Sequence, residues 1–258
     1  MDQGITLCKS VLGSRPVEAW IPRIDASYAG LNEPCRQAPW TDPDRLIPSG
    51  KGFVPTSSSL PVGAVLSELD LRNLAAQVLG TPAGQWIRDE LGPRIVLDLD
   101  QVWIRRQYAP ARYPKWHAPH SWHQDGALGF DFLAPLPSKL ALPRLLEMVT
   151  CWIALGACGL DAPGLEFVTR RLDDLLQPAE LLDQRLRSQF HPHEFWRPVL
   201  EAGDVLCFRG DVLHRTHVTP AMKADRTSIE IRFFPADRIP ERLRFDRFIP
   251  IESAYREH

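Results

Sequence analysis

Trp122-His123-Gln124-Asp125-Gly126 sets a histidine and a carboxylate one residue apart. In an extended chain, positions i and i+2 face the same side, so His123 and Asp125 can be aimed at one ion. The pair needs a third ligand, and it needs a fold that returns a distant strand to the same place. Far along the chain, Gly210-Asp211-Val212-Leu213-His214-Arg215 follows the strand candidate Val205-Leu206-Cys207-Phe208. A rolled sheet of short antiparallel strands brings such segments together. Two histidines and a carboxylate with open coordination positions suit non-haem Fe(II) that activates O2. Spacing alone leaves alternatives. A lone His-x-Asp occurs by chance in many chains, and the three residues could be ordinary polar loop residues. His117 and His120 recur at three-residue steps before His123, and His217 follows His214. His214 is preferred because it directly follows the strand-like Gly210-Asp211-Val212-Leu213.

Outward from this pair the chain reads as short strands with Gly/Pro turns. Ile95 to Tyr108 has the character of two strand segments, Val149 to Leu155 and Leu165 to Val168 are further strands, and Thr227 to Phe234 is the last clear one. In that last strand Ile229, Ile231 and Phe233 alternate with Ser228, Glu230 and Arg232. A helical insert is expected over Leu172–Phe190, divided by Pro178, and it could pack on its own barrel or on a partner, leaving monomer and homodimer both open.

Upstream, a helix near Val17 to Tyr28 is interrupted by Pro22, and Leu31 to Val62 reads as loop, either a wrap over the core or a lid. A helix over Ala64–Leu79 stops at Gly80, and Thr81-Pro82 opens another to Leu91. These features predict one domain over residues 1–258. A helical and loop region (1–94) precedes a mainly β barrel or jelly roll (95–236, with the insert at 172–190), and a charged tail (237–258) ends it.

A net charge of −2 gives no strong field toward nucleic acid or a membrane, and no apolar run approaches a membrane span. Met1-Asp2-Gln3-Gly4-Ile5 lacks the basic, apolar start of a secretory signal. The five cysteines are scattered without a C-x-x-C pair, which suggests reduced thiols in a cytoplasmic protein. A small-molecule substrate is expected.

Arg226 and Ser228 share one face of the last strand. A guanidinium can grip a carboxylate with two prongs and a neighbouring hydroxyl can add a hydrogen bond, which suits the far end of a dicarboxylate cosubstrate. The alternative for Arg226 is a surface salt bridge. Gln107 and Arg105 alternate on one strand face and could reach cosubstrate or substrate, or form a solvated face. Trp116 and Trp122 flank the metal motif and could line the substrate entrance, with His117 and His120 as loop or substrate contacts. Arg105, Arg106, Arg112, Lys115, Arg209 and Arg215 suggest a basic mouth and an anionic substrate.

Taken together, Ser121-Trp122-His123-Gln124-Asp125-Gly126, Cys151-Trp152-Ile153-Ala154-Leu155, the segment Ala202 to Arg215 and Arg226-Thr227-Ser228-Ile229-Glu230-Ile231-Arg232-Phe233 resemble the phytanoyl-CoA dioxygenase-like family of Fe(II)/2-oxoglutarate oxygenases. The resemblance spans roughly residues 95–236. It implies a double-stranded β-helix of the cupin-like jelly-roll type, Fe(II) on His123, Asp125 and His214, and 2-oxoglutarate gripped by Arg226. Trp152 would pack against the cosubstrate from the barrel wall, with a plain core tryptophan as the alternative. Halogenases on this scaffold replace the carboxylate with a small residue, so Asp125 favours hydroxylation, with desaturation or ring closure as other outcomes. A cupin-like protein that binds a metal or small ligand without oxygen chemistry is the competing expectation.

Overall fold

The computed structural model describes residues 4–29, 59–61, 63, 65–112, 119–127, 145–172, 174–177, 179–239, 243 and 247–251. Among the described residues, eleven strands and four α-helices follow in order. They are β1 (Ile5–Cys8), α1 (Ser14–Ala29), β2 (Ser59–Pro61), α2 (Glu68–Leu79), α3 (Pro82–Leu91), β3 (Ile95–Asp98), β4 (Trp103–Gln107), β5 (Val149–Ala154), β6 (Gly164–Val168), α4 (Asp183–Gln189), β7 (Phe195–Trp196), β8 (Val205–Arg209), β9 (His214–His217), β10 (Arg226–Pro235) and β11 (Phe248–Pro250). The larger sheet runs β1-β8-β5-β10-β3-β11, with β4 beside the first half of β10 and β2 beside β4. The smaller sheet runs β7-β6-β9. Together they form a double-stranded β-helix with a helical layer on the outside.

The two faces of the larger sheet do different work. Val149, Cys151, Ile153, Val205, Cys207, Ile229, Ile231 and Phe233 pack outward under α1, α2 and α3, with Ile24, Leu71, Leu74, Val78 and Ile87 buried in the same cluster. Each such side chain fully removed from water contributes about 1.5–3 kcal/mol. The opposite face looks into the barrel. There Trp152, Leu206 and Phe208 meet Leu165 and Phe167 of the smaller sheet. The inward positions of β10 are Arg226, Ser228, Glu230 and Arg232, cross-strand from Gln107, Arg105 and Trp103 on one side and Ala154, Trp152 and Thr150 on the other.

Several elements differ from the sequence expectation. Helix α1 continues through Pro22, because Val17, Ile24 and Tyr28 bury both halves and offset the lost hydrogen bond. Helix α2 begins at Glu68 and not at Ala64, since Ser67 and Asp70 form a capping box there. Of the stretch read as loop, Ser59–Pro61 is an edge strand; residues 31–58 and 62 of the supposed lid lie outside the described residues. Among the described residues the insert is helical only over Asp183–Gln189. Ahead of it, Gln124 accepts from the Leu176 amide at 2.8 Å and donates to the Asp174 carbonyl at 3.2 Å, so a side chain satisfies backbone that a helix would otherwise pair. Strands β1 and β11 lie in regions read as loop or tail. Cys8, Cys151, Cys158 and Cys207 are free thiols, and Cys35 lies outside the described residues. Among the described residues no helix is long and apolar enough to cross a membrane.

Candidate active site

His123 and His214 sit directly opposite one another. The His123 amide donates to the His214 carbonyl at 2.9 Å and the His214 amide returns the bond at 3.0 Å. This isolated bridge brings the two ring centroids to 4.2 Å. The His-x-Asp pair is thus not on a strand: His123 forms the bridge, and Asp125 opens a 3-10 turn, Asp125–Ala127. Gly210 to Leu213 is not a strand but the turn that follows β8, and His214 starts β9 after it.

Each imidazole is fixed through Nδ1, His123 to the Ser121 carbonyl at 2.7 Å and His214 to the Val212 carbonyl at 3.0 Å. A carbonyl only accepts, so each Nδ1 carries a proton, and Nε2 is the atom that offers a lone pair in the neutral ring. Those two Nε2 atoms converge on Asp125 Oδ1, at 3.7 Å from His123 and 4.0 Å from His214. Such separations are spanned by one ion with bonds of about 2.1 Å. Burial, with the His123 ring beside it, pushes His214 down to about 4, so its Nε2 is free at neutral pH. Burial alone would raise the Asp125 carboxyl; Arg232, the two imidazoles and a hydrogen bond from Thr150 outweigh it and hold the group well below the usual carboxylate range. The His123 side chain is 36% exposed against 6–7% for the other two, so the cluster opens on the His123 side.

Gly126 locks the turn onto the distal segment. Its amide donates to the Gly210 carbonyl at 2.8 Å, and a Cβ there would meet that oxygen at 2.8 Å and Leu145 Cδ1 at 2.4 Å. The leucine tip can swing away but the carbonyl cannot. Gly126→Ala is therefore expected to cost about 1–3 kcal/mol of stability in urea denaturation and to weaken metal binding, by prising the Asp125 turn from the His214 turn.

A second polar group lies on the same inward face. Arg226 is buried, with its guanidinium 5.1 Å from the Trp152 ring centroid and Nη1 donating weakly to the Gly164 carbonyl at 3.4 Å. Burial lowers its pKa from the ordinary value. Arg226 Nε, Ser228 Oγ and Trp152 Nε1 are buried and have no hydrogen-bond partner among the described residues. Unpaired buried donors cost about 1–3 kcal/mol each. Here the donors adjoin one another on β10 and β5, and a carboxylate would satisfy them.

The phytanoyl-CoA dioxygenase (PhyH) family model matches residues 2–223. The chain belongs to the phytanoyl-CoA dioxygenase family. No curated protein sequence matches the chain. Among solved structures, the α-ketoglutarate-dependent epimerase SnoN from nogalamycin biosynthesis is similar at 16% identity and a TM-score of 0.55, over 90% of this chain and 78% of that one. HygX from Streptomyces hygroscopicus, with nickel and 2-oxoglutarate bound, is 16% identical with a TM-score of 0.55, over 90% and 83%. EctD from S. alaskensis with bound Fe is 13% identical with a TM-score of 0.60, over 92% and 75%. These likenesses support the fold.

Against this family frame the remaining sequence candidates divide. Gln107 is buried beside Arg226 on β4, cross-strand from it. Arg105 points inward and is held by Glu230 at 3.2 Å and Ser59 at 2.7 Å, with His120 Nε2 3.3 Å away. The His120 ring lies 5.6 Å from His123, its pKa depressed by burial and by Arg105. Trp122 does not line an entrance. As the chain neighbour of His123 it turns the other way, packs with Leu186, Phe190 and Leu213, and donates to Asp183 at 2.8 Å. His217, three positions after His214 on β9, lies outside the cluster. Trp116, His117 and Lys115 lie outside the described residues.

The basic mouth is not present among the described arginines. Arg106 pairs with Asp25 and stacks on Tyr28, Arg112 pairs with Asp225, Arg209 with Asp211, and Arg215 with Glu166. Sequence reasoning missed Thr150, Glu230 and Arg232 as parts of the site, and Phe167 and Phe208, whose rings flank His214 at 5.7 and 4.6 Å. The available signal was the polar half of the β10 alternation.

Proposed function

We propose that this chain is an Fe(II)- and 2-oxoglutarate-dependent oxygenase that hydroxylates an unactivated C–H bond of a small-molecule substrate. The observation that carries the reading is the His123–Asp125–His214 cluster on the same barrel interior as the unsatisfied donors of Arg226, Ser228 and Trp152. Bound Fe(II), with 2-oxoglutarate and O2, supplies the oxidising power. The protein's residues do the rest. His123, Asp125 and His214 hold the metal. Arg226 and Ser228 bind the far carboxylate of 2-oxoglutarate, with Trp152 and Gln107 walling it. The substrate approaches on the open His123 side, where Arg105 and His120 contact it. Phe167, Phe208 and Leu206 close the opposite side against water.

A small-molecule substrate is favoured by the neighbours solved with nogalamycin RO and with hygromycin B. The same fold carries an epimerase and a carbocyclase, and in this chemistry substrate position selects the outcome. The test admits O2 to anaerobic protein with Fe(II), 2-oxoglutarate and ascorbate, and measures succinate beside Arg226→Ala. Losing a two-pronged charged contact of about 1.5–3 kcal/mol should weaken 2-oxoglutarate binding roughly 10- to 100-fold. Unchanged 2-oxoglutarate affinity in the variant would remove Arg226 from the site. Wild-type protein that gives neither succinate nor a charge-transfer band with anaerobic Fe(II) and 2-oxoglutarate would overturn the oxygenase reading.

A further inference from the structure

The two oxygens of Asp125 are already assigned different tasks. Oδ2 accepts from Thr150 Oγ1 at 2.5 Å, and both residues are buried. Oδ1 faces the two imidazole Nε2 atoms and receives Arg232 Nη2 at 3.3 Å. Thr150 and Arg232 are cross-strand partners on β5 and β10, so their side chains stand together on the inward face and the Asp125 turn lies across them. Arg232 is itself fixed: Nη1 donates to the Gln101 carbonyl at 3.2 Å, and Glu230 lies 4.0 Å away. Glu230 is in turn paired with Arg105. The row Arg105, Glu230, Arg232, Asp125 alternates in charge and ends on the carboxylate of the cluster.

A carboxylate can bind a cation through one oxygen or two, and what decides is what else holds the second oxygen. For an oxygenase the difference matters. Three protein atoms on a six-coordinate ion leave three positions, of which a chelating keto acid takes two. If both oxygens of Asp125 bound, nothing would remain for the oxidant. We propose that Thr150 and Arg232 are positioning residues that make Asp125 a one-oxygen ligand and so preserve the third open position. This rests on the metal-binding reading of the cluster. Thr150 holds Oδ2 out of reach by its hydrogen bond, while Arg232 sets the tilt of Oδ1 toward the imidazoles.

Arg232→Ala would leave the buried Asp125 carboxylate without its guanidinium, so the test uses Thr150→Val, which keeps the shape and β-branching and removes only the hydroxyl donor. Arg232→Lys, which keeps the charge and loses the planar fork, accompanies it. The readouts are the d–d spectrum and affinity of Co(II), 2-oxoglutarate binding to the Co(II) form, and the melting temperature of the metal-free protein. Thr150→Val should change the Co(II) spectrum in the direction of a higher protein ligand number and retain 2-oxoglutarate binding. Its Fe(II)-dependent succinate formation should fall at least about 10-fold. Arg232→Lys should weaken Co(II) binding by about 10- to 100-fold. A wild-type Co(II) spectrum and affinity in both variants, with only the melting temperature lowered, would reduce the pair to structural support and overturn the proposal. Wild-type protein that fails to bind Co(II) at all would overturn the metal reading and this one with it.

Discussion

Asp125→Asn is expected to leave the protein folded and to cut 2-oxoglutarate turnover by at least about 10³-fold, the scale of several kcal/mol of metal-derived stabilisation. The substitution is nearly isosteric, so the buried pocket around the side chain stays filled. Its failure is chemical. A carboxamide has one acceptor oxygen, while Thr150 on one side and the metal on the other each need one. With its oxygen toward Thr150, the amide would aim N–H groups at the two imidazole lone pairs and at Arg232, which is itself a donor. With its oxygen toward the imidazoles, the amide nitrogen would face the Thr150 hydroxyl, leaving a neutral and weak ligand for the ion. Circular dichroism of the metal-free variant checks the fold, equilibrium dialysis with Fe(II) or Co(II) checks the metal, and succinate checks turnover. Turnover within 10-fold of wild type would take Asp125 out of the ligand set.

The local half of the cluster was legible because chain neighbours need no tertiary knowledge, and His123 and Asp125 are two residues apart. The distant half depended on sheet rolling, which the strand pattern implied, although Gly210 to Leu213 proved to be a turn and His214 to begin β9. What the pattern could not supply was the direction of polarity. Alternation in β10 separates Ile229, Ile231 and Phe233 from Ser228, Glu230 and Arg232, and the usual inference is that the polar side meets water. Here most of both faces is buried, and the face that looks into the barrel is the polar one. The alternation therefore gave no sign that Glu230 and Arg232 support the site. The misread basic mouth has the same origin. Arg215 is answered by Glu166, 49 positions away, and Arg209 by Glu90 as well as its near neighbour Asp211. Charge counting along the chain cannot see those partners. Trp122 was misplaced because the chain is extended at the His123–His214 bridge, where the neighbour of an inward side chain points outward. Strands of three or four residues, such as β1 and β11, are too short to show a period.

Glu166 on β6, paired with Arg215 of the His214 strand β9, carries the next largest effect, for stability. Glu166→Ala is expected to destabilise the protein by about 3 kcal/mol at neutral pH, a large share of the 5–15 kcal/mol typical of a whole domain. Glu166 has no exposed surface, and its carboxylate binds Arg187 at 2.8 Å, Arg197 at 2.8 Å and Arg215 at 2.7 Å. Removing one buried partner leaves the others uncompensated, which costs about 3–5 kcal/mol. These guanidiniums are 24–49% exposed and can recover part of their hydration, so the low end applies. The network also steadies the ligands. Arg215 follows His214 in the chain and lies 4.8 Å from the ring of Trp122, which precedes His123, while Arg187 of α4 reaches both Glu166 and Trp122. Weaker metal binding should therefore accompany the lost stability. The pH dependence has a definite sign. Burial tends to raise the Glu166 pKa, but the hydrogen bonds and charges of the three arginines outweigh it and leave it lowered. Its contribution is complete above the unfolded glutamate value of about 4.3 and is lost as pH falls through the lower folded value. The gap between wild type and Glu166→Ala in urea denaturation should accordingly be widest at neutral pH and narrow below about pH 4. A gap that stays constant across that range would mean that Glu166 contributes through packing and not through its charge.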